Sequence, residues 1–223
     1  MTIQLNDAPA LGDGIYTFSE ASAILRGLTK PVTTRRLRYW MTTGLAPVSH
    51  MVDDDVAILS FADLISLEIV RRFRAEGVSL QSLRVLEHRL RVMYPHHDRP
   101  FAYKVFFTDG ADVWVQEVGK DTGVAVEILG RRRNQWVWTD PILTFAEDIR
   151  FVGPEQHAVA WTLTPWVEIN PAVQFGAPIV RGTRVPVSTI AANLAVASVT
   201  EVADWYGLKV RQVEGVREYL AAS

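Results

Sequence analysis

The stretch "TTRRLRYWMTTGL", residues 33–45, gathers three arginines, a tyrosine and a tryptophan into positions 35–40. Its spacing reads as a helix with two faces. At about 100° per residue, Leu37, Trp40 and Met41 fall on one side, while Arg35, Arg38 and Tyr39 point the other way. Thr33 or Thr34 suits the N-cap, because a hydroxyl oxygen accepts from the orphan amides of a first turn. The pattern predicts an apolar side that docks and a cationic side that reaches out.

Charge around this helix is uneven. The chain carries a formal net charge of -2, yet residues 21–52 hold Arg26, Lys30, Arg35, Arg36 and Arg38 with no acid among them. Asp53, Asp54 and Asp55 follow and offset that run in the total. A local basic patch on a near-neutral chain meets phosphates without adhering to every polyanion. The planar fork of arginine bonds phosphate or pairs bidentately with guanine in the major groove. Lys30, Arg35, Arg36, Arg38 and Tyr39 are therefore the candidate DNA-binding residues.

The 223 residues are 48% hydrophobic and 22% charged, a globular balance with room for two or three domains. Cysteine is absent, which removes disulfides, thiolate metal sites and Cys nucleophiles and fits a reducing cytosol. The start of the chain has no basic segment followed by an apolar run. No apolar stretch reaches the roughly 18 residues of a membrane helix, so the expectation is a cytoplasmic protein with no membrane partner. Enzymatic signatures are missing as well: there is no Gly-rich phosphate loop, no H-E-x-x-H and no G-x-S-x-G. His96, His97 and Asp98 are adjacent, but successive side chains project in different directions and share a metal poorly. They are expected in an exposed loop, with no catalytic residue, no metal and no cofactor.

The chain divides into three parts, and the expected class is α+β. Residues 15–94 read as helical. "TFSEASAIL" can be capped by Thr17 or Ser19. Ser60 and Asp63 have capping-box spacing ahead of "FADLISLEIVRRFRAEG", which Gly77 ends. Ser79 starts "SLQSLRVLEHRLRVMY", where Leu83, Leu86, Leu90 and Met93 make either an intramolecular core stripe or a dimer seam. Residues 101–164 read as a small antiparallel β meander, in which "YKVFFTDGADVWVQEV" is a hairpin turning at Asp109-Gly110. "VAVEIL" and "QWVWTD" are further strands. Five of the seven tryptophans fall on or just after this stretch (Trp114, Trp136, Trp138, Trp161, Trp166), and aromatic cover of a thin sheet core outweighs a ligand pocket. Arg131, Arg132 and Arg133 read as a solvated hairpin tip. Residues 165–223 return to helices, with Ser188 and Thr200 as caps and Gly207 as a break.

"LRYWMTTGL" resembles the second helix and following turn of the MerR-type winged helix-turn-helix, through Leu37, Arg38, Tyr39, Trp40, Gly44 and Leu45. The resemblance implies a wing up to Leu59, later helices from Phe61 and Ser79, and binding to DNA. The linker "RGLTKPV" is longer than the family's usual short turn.

"INPAVQFGAPIVRGTRVPVSTI" resembles the signature of a small domain in VapB-like antitoxins, through Asn170, Pro171, Gly176, Pro178, Gly182, Thr183, Arg184, Pro186 and Val187. Beyond it, Thr200, Ala203, Gly207, Leu208 and Val213 keep helix-turn-helix spacing. Together the resemblances imply a type II antitoxin that neutralises a PIN-domain ribonuclease toxin and binds operator DNA as a homodimer to autorepress its operon. Arg211 and Arg217 rank first as toxin-binding candidates. Arg181 and Arg184 come second, being expected to hydrogen-bond local carbonyls. The alternative reading is a MerR-like ligand-sensing regulator with an aromatic pocket in the central region.

Overall fold

The computed structural model describes residues 13–26, 32–45, 50–53, 56–114, 129–132, 135–138 and 140–222. Helices α1 (Phe18–Arg26) and α2 (Thr34–Trp40) lead through a widened turn, Met41–Leu45, into a two-stranded antiparallel hairpin, β1 (His50–Asp53) and β2 (Val56–Ile58). Helices α3 (Phe61–Ala75) and α4 (Leu80–Met93) follow. The local caps are those the sequence carries. Thr17 Oγ1 accepts from Glu20 N, Thr33 Oγ1 from Arg36 N, and Ser79 Oγ from Ser82 N. Ser60 and Asp63 close a reciprocal capping box at 2.9 and 3.1 Å.

Helix α3 is the hub. Phe61, Leu64, Ile65, Leu67, Ile69, Val70 and Phe73 are all buried, so the helix is enclosed nearly all round. Leu83, Leu86 and Leu90 of α4 lie in the same core. That is the core-stripe arrangement, and Met93, 55% exposed, falls outside it.

The expected hairpin at Asp109-Gly110 does not form. A 3-10 turn (Pro100–Ala102) and two short helices, α5 (Lys104–Thr108) and α6 (Gly110–Val113), occupy that stretch. Asp109 sits at φ -102°, whereas a primed turn needs positive φ. Its carboxylate instead accepts from the Tyr94 hydroxyl at 2.7 Å. The adjacent residues Phe106 and Phe107 are both buried, which a half-exposed strand cannot arrange, because its neighbouring side chains face opposite ways. Phe106 meets Phe101 at 5.0 Å and Phe73 at 6.1 Å between ring centres, and Trp114 stacks on Phe73. Burial on every side has overridden the β propensity of the aromatic residues.

Strands β3 (Leu129–Arg132) and β4 (Gln135–Trp138) pair antiparallel, which places Arg131 and Arg132 on a hairpin. Most of "VAVEIL" and Arg133 lie outside the described residues. Helix α7 (Asp140–Asp148) then feeds a four-stranded antiparallel sheet in the order β5 (Ile149–Val152), β6 (His157–Thr164), β7 (Val167–Ile169) and β8 (Ile179–Val180). This sheet joins residues on both sides of position 164. Trp161 is buried, with Phe145 edge-on to it at 5.3 Å, so this tryptophan covers the sheet core as expected.

The C-terminal helices α8 (Val187–Leu194), α9 (Val199–Tyr206) and α10 (Val210–Ala222) enclose a second core with Val167, Val180, Val187, Ile190, Val202, Ala203, Val213 and Val216. Ser198, rather than Thr200, caps α9 through a capping box with Glu201. Ser188 lies inside α8, and Pro186 takes the N-cap position without a side-chain bond. Gly207 ends α9 in the left-handed region at φ 62°.

Helix α10 reaches the sheet only because Gly215 has no side chain: a Cβ there would fall on the Trp166 ring. Helix propensity alone favours Ala over Gly by about 1 kcal/mol, so the sign of the Gly215→Ala effect separates close packing from propensity. The expected result is a loss of about 1–3 kcal/mol from overpacking, read as a lower midpoint of urea or thermal unfolding. A higher midpoint would place Trp166 away from this helix.

Candidate nucleic-acid interface

Helix α2 presents the two faces read from its sequence. Leu37, Trp40 and Met41 are at most 4% exposed and sit in the main core. Arg35, Arg36, Arg38 and Tyr39 are exposed. Thr42 Oγ1 and Thr43 Oγ1 donate to the carbonyls of Arg38 and Tyr39 at 2.9 and 2.5 Å, which satisfies acceptors that the end of the helix leaves open. The Arg38 guanidinium lies 5.4 Å from the centre of the Phe18 ring, so α1 holds it by cation–π attraction. Lys30 lies outside the described residues.

The structure adds a residue that the linear reading missed. Arg36 and Tyr39 border a cavity of about 340 Å³ together with Arg71 and Arg74 of α3. Arg71 is neutralised, since its Nε and a terminal nitrogen donate to the buried Glu68 carboxylate at 2.6 and 2.7 Å. Arg74 is exposed and bonds a neutral group, the Val78 carbonyl. It therefore keeps its charge and extends the basic face. Nothing within positions 33–45 signals it, because the neighbourhood is made where α2 and the C-terminal end of α3 border one cavity.

The signature segment is built from local bonds and one distant contact. Asn170 Oδ1 accepts from Ala172 N at 3.0 Å, an Asx turn. Thr183 Oγ1 donates to Val180 O at 2.8 Å and accepts from Val185 N at 3.1 Å. Gln174, Phe175 and Gly176 take φ values of 51°, 54° and 87° in succession. The Tyr16 hydroxyl donates to Gly176 O at 3.0 Å, and Ile15 N donates to Phe175 O at 3.1 Å. A Cβ on Gly176 would fall on that hydroxyl, so Gly176 is required by a residue 160 positions away. Burial pushes the Tyr16 phenol well above its ordinary range, with Glu20 adding to the effect, and the group stays a donor.

The arginines proposed for protein contact are all exposed and lie on different elements: Arg181 and Arg184 in the β8–α8 turn, Arg211 and Arg217 on α10. The turn does not occupy Arg181 and Arg184 as expected. Among the described residues neither guanidinium has a hydrogen bond, because Thr183 and backbone amides already serve the nearby carbonyls. His97 also departs from the exposed loop expected for it. It is 9% exposed and stacks between Tyr103 at 3.9 Å and Tyr94 at 5.5 Å, with Glu155 at 3.9 Å. Among the described residues no three His, Asp or Glu side chains gather in a way that would hold a metal ion. No helix of the described residues is long and apolar enough to cross a membrane.

Residues 16–90 match the family described as "MerR HTH family regulatory protein". Residues 167–220 match the family described as "Protein of unknown function (DUF433)". The chain thus joins a MerR-type helix-turn-helix, a fold of DNA-binding regulators, to a DUF433 domain, and the segment read as VapB-like falls in the latter. No curated protein matches the chain. The solved structure titled "X-ray crystal structure of Rv2018 from Mycobacterium tuberculosis" superposes with a TM-score of 0.75 at 22% identity, covering 90% of this chain and 96% of that one. At that identity the likeness is one of fold.

Replacing Arg35 and Arg38 together by Ala should weaken binding to DNA from the protein's own promoter. The slope of log affinity against log salt should flatten by about one unit per lost phosphate contact. Thermal stability should hold, because both side chains are exposed. Fluorescence titrations across a salt series give the slope, and an unchanged value would move the DNA contact to another face.

Proposed function

We propose that this chain is the antitoxin of a type II toxin–antitoxin pair. It binds its operator through α2, autorepresses its operon as a homodimer, and neutralises a PIN-domain ribonuclease through its C-terminal domain. The observation that supports the DNA half is the division of α2 into a buried Leu37, Trp40 and Met41 side and an exposed Arg35, Arg36, Arg38 and Tyr39 side. Two copies would meet half-sites about 34 Å apart, or a multiple of that distance.

Support for the partner half comes from surface chemistry. Trp205 is 57% exposed and Val210 41%, and they flank the α9–α10 turn next to Arg211. Tryptophan and arginine dominate the energetics of protein interfaces. PIN-type nucleases, as the resemblance implies, hold Mg²⁺ with clustered carboxylates, and a guanidinium can enter such an acidic cleft. Arg211 and Arg217 remain the first candidates, with Arg181 and Arg184 free to assist.

Full-length variants test the division of labour. Arg35→Ala with Arg38→Ala should bind the operator more weakly and still restore growth to cells expressing the ribonuclease encoded beside this gene. Arg211→Glu with Arg217→Glu should bind operator normally and fail to restore growth. If the second variant rescues as well as the unaltered chain, the contact does not run through α10. If no neighbouring ribonuclease exists, the antitoxin reading falls and the DNA reading stands on its own titration.

A further inference from the structure

A cavity of about 730 Å³ opens where the three parts of the chain meet. The first turn of α3 supplies Phe61, the segment before α5 supplies Tyr103, strands β5 and β6 supply Arg150 and His157, and the signature turn supplies Asn170 and Pro171. Among the described residues no tryptophan lines it, and its aromatic walls are Phe61, Tyr103 and His157. Its volume is that of a small-molecule site, where apolar walls bury the ligand and a few polar groups orient it.

The polar groups at this site are not equivalent. Arg99 lines the cavity, but its Nε donates to the fully buried Asp63 carboxylate at 2.6 Å, which commits it to the fold. Arg150 is exposed, and among the described residues its side chain has no hydrogen bond or ion pair. It is the cation that the cavity offers to a ligand. Tyr103, half-buried beside it, has its phenol pushed up by burial and by Glu155 and Asp98, so it remains a neutral donor. Tyr103 and His157 are tilted rings 6.5 Å apart, and Val152, 40% exposed, adds an apolar wall. Asp13 and Asp98 also line the cavity. A single available guanidinium can pair with one negative charge and would leave the second charge of a phosphate dianion uncompensated.

The geometry points to a binding site for a small aromatic monocarboxylate, its carboxylate forked on Arg150 and its ring held against Tyr103, His157 and Val152. Such a ligand would touch the cap of α3, the central sheet and the signature turn at once, and so tie the DNA-binding part to the rest of the chain. This inference stands apart from the toxin reading, and its test reads binding alone.

Thermal shift and calorimetric titration of the full-length protein with indole-3-acetate form the experiment, with indole-3-acetamide as the neutral match and phenyl phosphate as the dianion. Indole-3-acetate should raise the melting temperature in a concentration-dependent way, since a ligand that binds only the folded state shifts unfolding by mass action. The amide should bind about tenfold more weakly or worse, as expected for losing a charge-assisted pair. Arg150→Gln should melt at the unliganded wild-type temperature and lose the shift, while Arg150→Lys should keep part of it. Equal shifts for acid and amide, a retained shift in Arg150→Gln, or tighter binding of phenyl phosphate would each overturn the assignment. So would the absence of any shift with indole-3-acetate at millimolar concentration.

Discussion

Two carboxylates of α3, Asp63 and Glu68, have no exposure at all, and most of the tertiary structure follows from how they are satisfied. A buried ion left unpaired costs several kcal/mol, so each must bring its partners with it. Glu68 takes Arg71 and Arg72 from its own helix at 2.6 and 2.7 Å. The Arg72 guanidinium then lies 4.5 Å from the Phe145 ring centre, which seats α7 against α3. Asp63 does double duty: one oxygen closes the capping box with Ser60, and the other accepts from Arg99. That second bond holds the chain where it enters the Pro100–Ala102 turn, and Phe101 and Phe106 enter the core directly after it.

A second constraint links the ends of the molecule. Tyr16 is bonded to the main chain of Leu59 on one side, and its ring lies against Gly14 and Gly176. The signature glycine is therefore an inter-domain joint as well as a turn. Gln174 and Phe175 are held in left-handed backbone, a conformation that costs roughly 1–2 kcal/mol per ordinary residue. The strain is retained because Phe175 O accepts from Ile15 N and the Gln174 side chain donates to Arg184 O. A turn bonded in this way fixes the DUF433 domain against the start of the helix-turn-helix, and a ligand or partner at one would be felt at the other.

The basic face of α2 depends on the same framework. Its arginines reach outward only because Leu37, Trp40 and Met41 are buried in a core built around α3. Arg38 is steadied by Phe18 of α1, and Arg74 joins from α3. The cavity at Arg150 sits at the opposite end of that helix, beside Ser60. The proposed DNA face and the proposed ligand site thus lie at opposite ends of one largely buried helix.

The amino-acid sequence determined the features that act over one or two helical turns. These include the two faces of α2, the capping box of Ser60 and Asp63, the left-handed Gly207 and the Asn170 turn. Each depends on side chains within about four residues of one another, so local spacing is enough to see it. Tertiary structure decided the rest. Residues 100–113 became helical because Phe101, Phe106, Phe107 and Trp114 are buried from several directions, and an alternating pattern cannot announce which faces will be covered. His97 lies in the expected loop yet is buried, because Tyr94 and Tyr103 stack on it. Arg74, the Tyr16–Gly176 joint and the cavity at Arg150 all join residues far apart along the chain, and such neighbourhoods exist only once the helices have packed.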